Sequence, residues 1–455
     1  MAGGTWSSQN KVRPGVYIRF RSKAAGGLTP GDRGVAAICK PLSWGPVGEM
    51  MEVEAGADMT PFTGYGITDG HNLFLREIFK GTDRTSGPRT VLLYRPAATG
   101  AAAAQAAIPG PAAREGDGAP SAGLQATARY PGARGNDISI LSAEQTDGSF
   151  LVSTVVDGEI ADQQRVTEAD ELSANAWVAF SGGPLAATAG ITLSGGEDGT
   201  VQEAAYASFL TALEPHPFDA LIYDGADAAV QAALLAFVQR MAEENGQYSQ
   251  LVASGLTVPD SMFAINVQSG VTLSDGTVLT PEQATWWAGG AEAGARYNES
   301  LTYARYPGAV SVSPVLSSSG YTAALKAGQL VLSAGGGRVK VEQDINSLVT
   351  YTQDFGKAFR KNRVLRLCST IANDIRRQFS DNFIGVADNN SDGRSRFKAG
   401  IVGYLLDIQA NGGIQEFSAE DVEVLPGEEI DAVVVNLALK AVDAVEKIYL
   451  TVVVA

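Results

Sequence analysis

The chain has 455 residues, a formal net charge of −16, 45% hydrophobic residues and 18% charged residues. That length exceeds one ordinary core and predicts two to four domains, with a composition normal for a globular protein. An acidic chain lacks the basic face that duplex binding requires, two cysteines rule out a disulfide scaffold, and no run of about 18 apolar residues offers a membrane-spanning helix.

The 52 glycines point to many turns and β-rich segments. Cys39 and Cys368 form no C-x-x-C pair, which fits a reducing compartment. The opening M-A-G-G-T-W-S-S-Q-N-K-V has no apolar stretch, so no signal peptide is expected. Residues 1–11 read as a polar arm. Arg13–Phe20 then reads as an isolated strand announced by Pro14-Gly15, with Val16, Ile18 and Phe20 alternating with Tyr17 and Arg19. Residues 24–96 read as a compact α/β segment: a buried strand over Gly34–Cys39, a turn at Trp44-Gly45-Pro46, a short helix over His71–Lys80 and a strand over Thr90–Tyr94. Residues 97–122, almost all Ala, Gly and Pro, read as a linker or surface loop.

Residues 123–195 alternate in short strands with Asp-Gly turns at 147–148 and 157–158, the pattern of a small β-sandwich. From 196 to 342 strands and helices take turns. Helices are expected over Val201–Leu213, Ala226–Glu243 and Pro281–Arg296, and strands over Asp219–Tyr223, Leu251–Ser254 and Met262–Val267, which together predict a parallel sheet. The helix with Trp286 and Trp287 carries a small-residue face suited to close packing. A hairpin over Val331–Val341 turns at Gly335–Gly337. In residues 343–455, Arg363–Phe379 is amphipathic, with Val364, Leu367, Cys368, Ile371, Ile375 and Phe379 inward and Arg363, Arg366, Thr370, Asn373 and Arg377 outward. A second helix, Arg396–Ala410, stops at Asn411-Gly412-Gly413. Strands are expected over Val422–Leu425 and Ala432–Leu439. The last stretch, Val445–Ala455, is a strand pattern with Ile448, Leu450, Val452 and Val454 on one face, and apolar on both. Such a strand needs a partner in this chain or in a neighbouring copy.

Catalytic and metal signals are weak. G-x-S-x-G is absent, and Ser194 in T-L-S-G-G is a turn serine. The two histidines lack metal spacing: His71 sits in a helix-entry turn with Asp69, and His216 lies between prolines. Asp388–Gly393 matches the first half of a calcium loop. Position 12 is Ala399 rather than a bidentate glutamate, so the segment reads as a helix-capping turn. Gly335-Gly-Gly-Arg-Val-Lys lacks the frame of a phosphate loop. No catalytic residue, metal site or cofactor is expected. The basic run is the exception to the acidic background: Lys357, Arg360, Lys361, Arg363, Arg366, Arg376 and Arg377 against Asp374 alone. It reads either as a solvated helix face or as a partner surface.

Read together, the blocks resemble a contractile tail sheath protein of the kind found in myophages and R-type bacteriocins. The resemblance rests on R-P-G-V-Y-I-R-F, A-R-Y-P-G-A-R-G-N-D-I-S-I, L-S-G-G-E-D-G, W-W-A-G-G-A-E-A-G-A-R-Y-N-E-S-L-T-Y, Q-D-I-N-S-L-V-T-Y-T, F-R-K-N-R-V-L-R, F-I-G-V-A-D-N-N-S-D-G-R and A-V-E-K-I-Y-L-T-V-V-V. Each motif alone is weak; their order and spacing together are specific. Residues 97–122 are the least family-like part.

The resemblance implies a multidomain α/β and α+β fold. Its parts are an outer β-sandwich, a central subtilisin-like α/β domain without catalytic residues, and a C-terminal α+β inner domain (343–455) completed by terminal strands. It implies a structural subunit, not an enzyme, that stacks in six-fold rings in a helical array around a tail tube and contracts. The implied partners are itself, the tube protein, and baseplate and terminator proteins, with no nucleic acid and no membrane insertion. The implied place is a virion tail or bacteriocin particle assembled in a bacterial cytoplasm. Val16, Tyr17, Ile18, Phe20, Ile448, Leu450, Val452 and Val454 become candidate inter-subunit strand residues. Lys357, Arg360, Lys361, Arg363, Arg366 and Arg377 become candidate tube-facing residues. The competing readings are another self-assembling shell or tube protein and, by fold analogy alone, a subtilisin-like hydrolase.

Overall fold

The computed structural model describes residues 2–4, 15–17, 33–108, 110, 123–257, 259–353, 355–383 and 387–452, with the backbone alone for 2–4, 15–17 and 378–382. The chain forms two compact units, 32–373 with 441–455, and 374–440 with 1–31.

The larger unit is built on a seven-stranded sheet. Its spatial order is Gln329–Leu330, Ala264–Val267, Gln250–Ser254, Ala220–Ile222, Val35–Cys39, Thr90–Tyr94 and Met50–Glu54. All neighbours are parallel except Met50–Glu54, which runs antiparallel to Thr90–Tyr94. Parallel strands need crossovers that cover both faces, so these strands are continuous apolar runs rather than alternating ones. Successive residues still point to opposite faces and sort cleanly into two cores. Ala36, Ile38, Val91, Leu93 and Ile222 join one core, and Ala37, Cys39, Leu92, Tyr94 and Leu221 the other. Four helices fill the cores: α1 (Leu73–Phe79), α2 (Ala204–Leu213), α3 (Ala228–Asn245) and α4 (Pro281–Gly294). Phe74, Ile78, Trp286 and Trp287 of α1 and α4 pack on the first face. Phe209, Leu213, Leu234, Phe237 and Val238 of α2 and α3 pack on the second.

The small-residue face of α4 is a steric requirement. A Cβ on Gly290 would lie 1.9 Å from the Ile78 carbonyl oxygen, and one on Gly289 would lie 2.4 Å from Ile222 Cγ1. Gly290→Ala should therefore force α1 and α4 apart and lower unfolding stability by about 1–3 kcal/mol, despite alanine's better helix propensity. Chemical denaturation of the variant checks this; an unchanged midpoint would show that α1 yields without cost.

This sheet corrects the expected division. Strands from 33–96 and from 220–330 share this one sheet, and the sandwich is an insertion between them. The sandwich stacks a four-stranded sheet (Glu159–Val166, Phe150–Val156, Ile138–Glu144, Thr188–Thr192) with a three-stranded one (Val178–Gly182, Leu124–Ala128, Gln105–Ile108). The last of these strands corrects the expected linker at 97–122. Gln105 and Ala107 point out, Ala106 and Ile108 point in, and Ile108 is 1% exposed. The layers close tightly beside this strand: a Cβ at Gly135 would sit 2.9 Å from those of both Ala104 and Ala128. Trp44, from the loop after Val35–Cys39, completes the sandwich core between Tyr130 (5.3 Å, edge-on) and Trp177 (4.9 Å).

The expected boundary at 343 is also displaced. Asp344, Asn346 and Ser347 are fully buried in the larger unit. The Ser347 N–H donates to the Ala264 carbonyl at 2.8 Å. A long helix, α5 (Asn362–Asn382), begins in the larger unit. The smaller unit holds the end of α5, then α6 (Ser391–Ala410) and the hairpin Val422–Pro426/Val433–Leu437. Asn390 caps α6 by accepting from the Gly393 N–H at 2.8 Å, as expected for the turn at 388–393. Phe397, Ile401, Tyr404, Leu405 and Ile408 are its buried face. In the same unit Ala2–Gly4 pairs in parallel with Gly15–Tyr17. This replaces the isolated N-terminal strand with a paired one. Ile18, Phe20 and the side chains of Val16 and Tyr17 lie outside the described residues.

Candidate assembly surfaces

The C-terminal segment departs most from its local expectation. Its pattern predicts a strand, yet residues 442–452 form none with any partner among the described residues. Val445 is 84% exposed, Ile448 85%, Tyr449 90%, Leu450 82% and Val452 72%. An apolar row this exposed is the signature of an interaction segment rather than of a finished surface. Val454 lies outside the described residues.

Within this exposed row one residue faces inward. Glu446 is gripped by three elements of the larger unit. Thr302 Oγ1 donates to its Oε1 at 2.8 Å, Gln343 Nε2 donates to its Oε2 at 2.6 Å, and Lys361 pairs with the same oxygen. Asp443 adds a second carboxylate to Lys361 at 3.5 Å. Burial pushes the Glu446 carboxyl up, but the hydrogen bonds from Lys361, Gln343 and Thr302 prevail and hold it below the usual glutamate range. A depressed folded-state pKa contributes stability above the unfolded pKa, which is lost as pH falls through the folded one. Acidification below the ordinary glutamate range should therefore loosen the C-terminal segment, read as faster proteolytic clipping after Lys447. A clipping rate that stays flat on acidification, once corrected for protease activity, would contradict the grip.

The basic segment does not form one outward surface. Lys357 is exposed. Arg360 donates to the Leu325 carbonyl and, at 3.5 Å, to the Tyr351 hydroxyl. Lys361 is engaged by Glu446 and Asp443. Arg363 is partly buried, and burial pulls its guanidinium pKa down. Arg377 is exposed and pairs with Asp374 at 2.9 Å. Arg366 contradicts its expected placement outright. It is 1% exposed, paired with Glu292 and, at 2.6 Å, with Asp344, and it donates to the Glu299 carbonyl at 2.8 Å. Thr370, also expected outward, is 4% exposed. The helix period is right, but carboxylates from distant segments cover what the sequence presents as its polar side.

Glu446, Glu292 and Asp344 were therefore missed as key residues. The available signals were a lone carboxylate in an apolar terminal run and a lone carboxylate among the small residues of α4.

The groups that could suggest catalysis are structural. The His71 N–H donates to Asp69 Oδ1 at 2.8 Å, its ring nitrogen lies 2.7 Å from the same oxygen, and the ring stacks on Tyr65 at 4.0 Å. His216 lies 3.8 Å from Glu52 on the surface. Among the described residues no three His, Cys, Asp or Glu side chains gather as a metal site. No helix among them is long and apolar enough to cross a membrane.

Comparison with known proteins fits these surfaces. Four domain families match in succession: tail sheath protein Gp18 domain III N-terminal region (residues 33–95), phage tail sheath protein beta-sandwich domain (98–198), phage tail sheath protein central domain (199–347) and phage tail sheath C-terminal domain (354–455). The chain is 34% identical to the phage-like element PBSX protein XkdK of Bacillus subtilis, with 99% of each chain covered. It is 39% identical to the solved sheath tail protein of Desulfitobacterium hafniense, with a TM-score of 0.81, 96% of this chain and 99% of that one covered. The helical sheath of the anti-feeding prophage in its contracted state shares the fold at 14% identity, with a TM-score of 0.56 and 97% and 99% coverage. The mixed α/β architecture with its inserted sandwich, the exposed apolar C-terminal segment and these matches along nearly the whole length agree: the chain belongs to the phage tail sheath family, whose members are structural proteins and not enzymes.

Proposed function

We propose that the chain is the repeating subunit of a contractile tail sheath. In this reading copies stack as six-fold rings in a helical array around a tail tube, and a shift between two packings shortens the array and drives the tube forward. The observation that carries it is the C-terminal segment, rooted at Glu446 and exposing Val445, Ile448, Leu450 and Val452 with no partner strand among the described residues. Such a segment gains a sheet by adding to the edge of another copy. The Val422–Pro426/Val433–Leu437 hairpin, a two-stranded sheet among the described residues, is a suitable acceptor. The contracted helical sheath among the structural neighbours supports helical self-association, and the phage-like element among the relatives supports a tail particle. Tube, baseplate and terminator proteins are the further partners. The parallel sheet, covered on both faces, is what supports a subtilisin-like central layer.

Of the six candidate tube-facing residues, Lys357 and Arg377 are the ones left exposed enough to face the tube. Reversing both charges should lower tube-templated assembly about tenfold and leave the monomer's melting unchanged, since surface substitutions cost little in stability. Normal templating by the reversed chain would remove them from the tube surface.

Negative-stain microscopy of the purified chain tests the function itself. Ribbed cylinders are expected. Closed shells would favour a different self-assembling protein, and monomers persisting at high concentration would overturn the reading.

A further inference from the structure

One polar network runs through the larger unit from the root of the N-terminal segment to the root of the C-terminal one. Arg33, where the body begins, pairs with Asp219 at 3.3 Å and donates from Nη2 to the Glu292 carbonyl at 3.3 Å, with that residue's carboxylate 3.9 Å away. Glu292 pairs with Arg366, which pairs with Asp344 at 2.6 Å. The Asp344 N–H donates to Thr302 Oγ1 at 3.0 Å, and that hydroxyl donates to Glu446 at 2.8 Å. Glu446 closes on Lys361, the residue before α5. Asn362 Nδ2 and the Leu301 N–H, both donating to Asp344 at 2.9 Å, brace the middle.

The network has two properties that matter. Its charged middle is dry, since the side chains of Glu292, Asp344 and Arg366 are each 1% exposed. In such a place a charge that loses its partner is left unpaired at high cost, so the arrangement holds as a whole rather than contact by contact. Its two ends are the points where the chain leaves the body. Glu446 has a side chain 12% exposed, and Ile448, two residues on, is 85% exposed. The change from held to free chain thus falls within two residues.

We propose that Glu446 is the positioning residue of the C-terminal segment, and that this network joins the roots of both terminal segments. The arm bends only beyond Glu446. A pull from a neighbouring copy on one segment reaches the root of the other through Thr302, Asp344, Arg366, Glu292 and Arg33. The partner is a second copy of this chain, and the inference rests on the reading that the terminal segments join copies.

The test uses the full chain with a nitroxide on Leu450→Cys; Cys39 is buried and Cys368 partly so. Glu446→Ala should raise the mobility of the label and lower assembled material about tenfold, with Lys361→Met as its second variant. Arg33→Met, or Arg33→Lys if the first misfolds, lies at the far end and should also raise mobility at 450. The double variant should be no worse than the poorer single one, whereas independent sites would multiply to about a hundredfold. If a chain ending at Glu446 still assembles, the arm reading itself fails. If that chain does not assemble while Glu446→Ala behaves as the parent, or if the two defects multiply, the network proposal is overturned.

Discussion

A chain that stops after Glu446 should fold, melt like the full-length protein, and form no cylinders. Residues 447–452 add almost nothing to the folded monomer, because Ile448, Tyr449, Leu450 and Val452 are 72–90% exposed. Removing such residues changes monomer stability by no more than about 0.5 kcal/mol. Their value is realised only on pairing. Burying Ile448, Leu450 and Val452 against another copy contributes roughly 4–9 kcal/mol gross. If ordering and desolvation cancel two thirds, about 1.5–3 kcal/mol remains per contact, roughly ten- to a hundredfold in association. Every subunit of an array would lose the same contact, so the loss compounds. Ending the chain after Glu446 keeps the carboxylate that grips Thr302, Gln343 and Lys361, and so separates the arm from its anchor. Sedimentation and microscopy at the concentration where the parent assembles decide the matter. Cylinders from the shortened chain would show that other surfaces suffice.

The parts of this architecture that depend on local pattern were readable from the sequence. The short apolar runs at 35–39 and 90–94, the helices around 73–79 and 228–245, the Gly-Gly hairpin turn and the cap at Asn390 all follow from side-chain spacing and turn chemistry. What escaped was non-local. Strands at 35–39 and 220–222 lie side by side although the whole sandwich separates them, and no periodicity announces such a pairing. Gln105–Ile108 escaped because alanine is a poor strand former in general, and the local pattern does not announce its antiparallel partner Leu124–Ala128. The terminal segment is the opposite case. Its strand pattern is legible, and no partner that would make it a strand lies among the described residues. Of the candidate site, the exposed apolar row was visible, whereas the acids that anchor it were not, because a single carboxylate does not reveal which distant cation it meets.

Arg366 is where that gap has the largest energetic consequence. Arg366→Met should destabilise the larger unit by about 3–5 kcal/mol, because it leaves Asp344 buried without its cation and Glu292 with only the distant Arg33 at 3.9 Å. Arg366→Lys should rescue only part, since one ammonium does not reproduce a planar fork that also donates to the Glu299 carbonyl. The pH dependence separates this from a packing defect. Burial already pushes the Glu292 carboxyl above the usual range even with Arg366 beside it. Removing the arginine raises it further, so the folded variant holds a proton that the unfolded chain releases. Stability then falls as pH rises through that window and is regained on acidification towards the ordinary carboxylate range, near about 4. The deficit of Arg366→Met relative to the parent should therefore shrink between pH 7 and about 5. A deficit constant across that range would mean that lost packing, and not two stranded carboxylates, sets its size. Replacing all three charges together, as Glu292→Gln, Asp344→Asn and Arg366→Met, should recover stability that the single change loses, because no charge is then left unpaired in the interior.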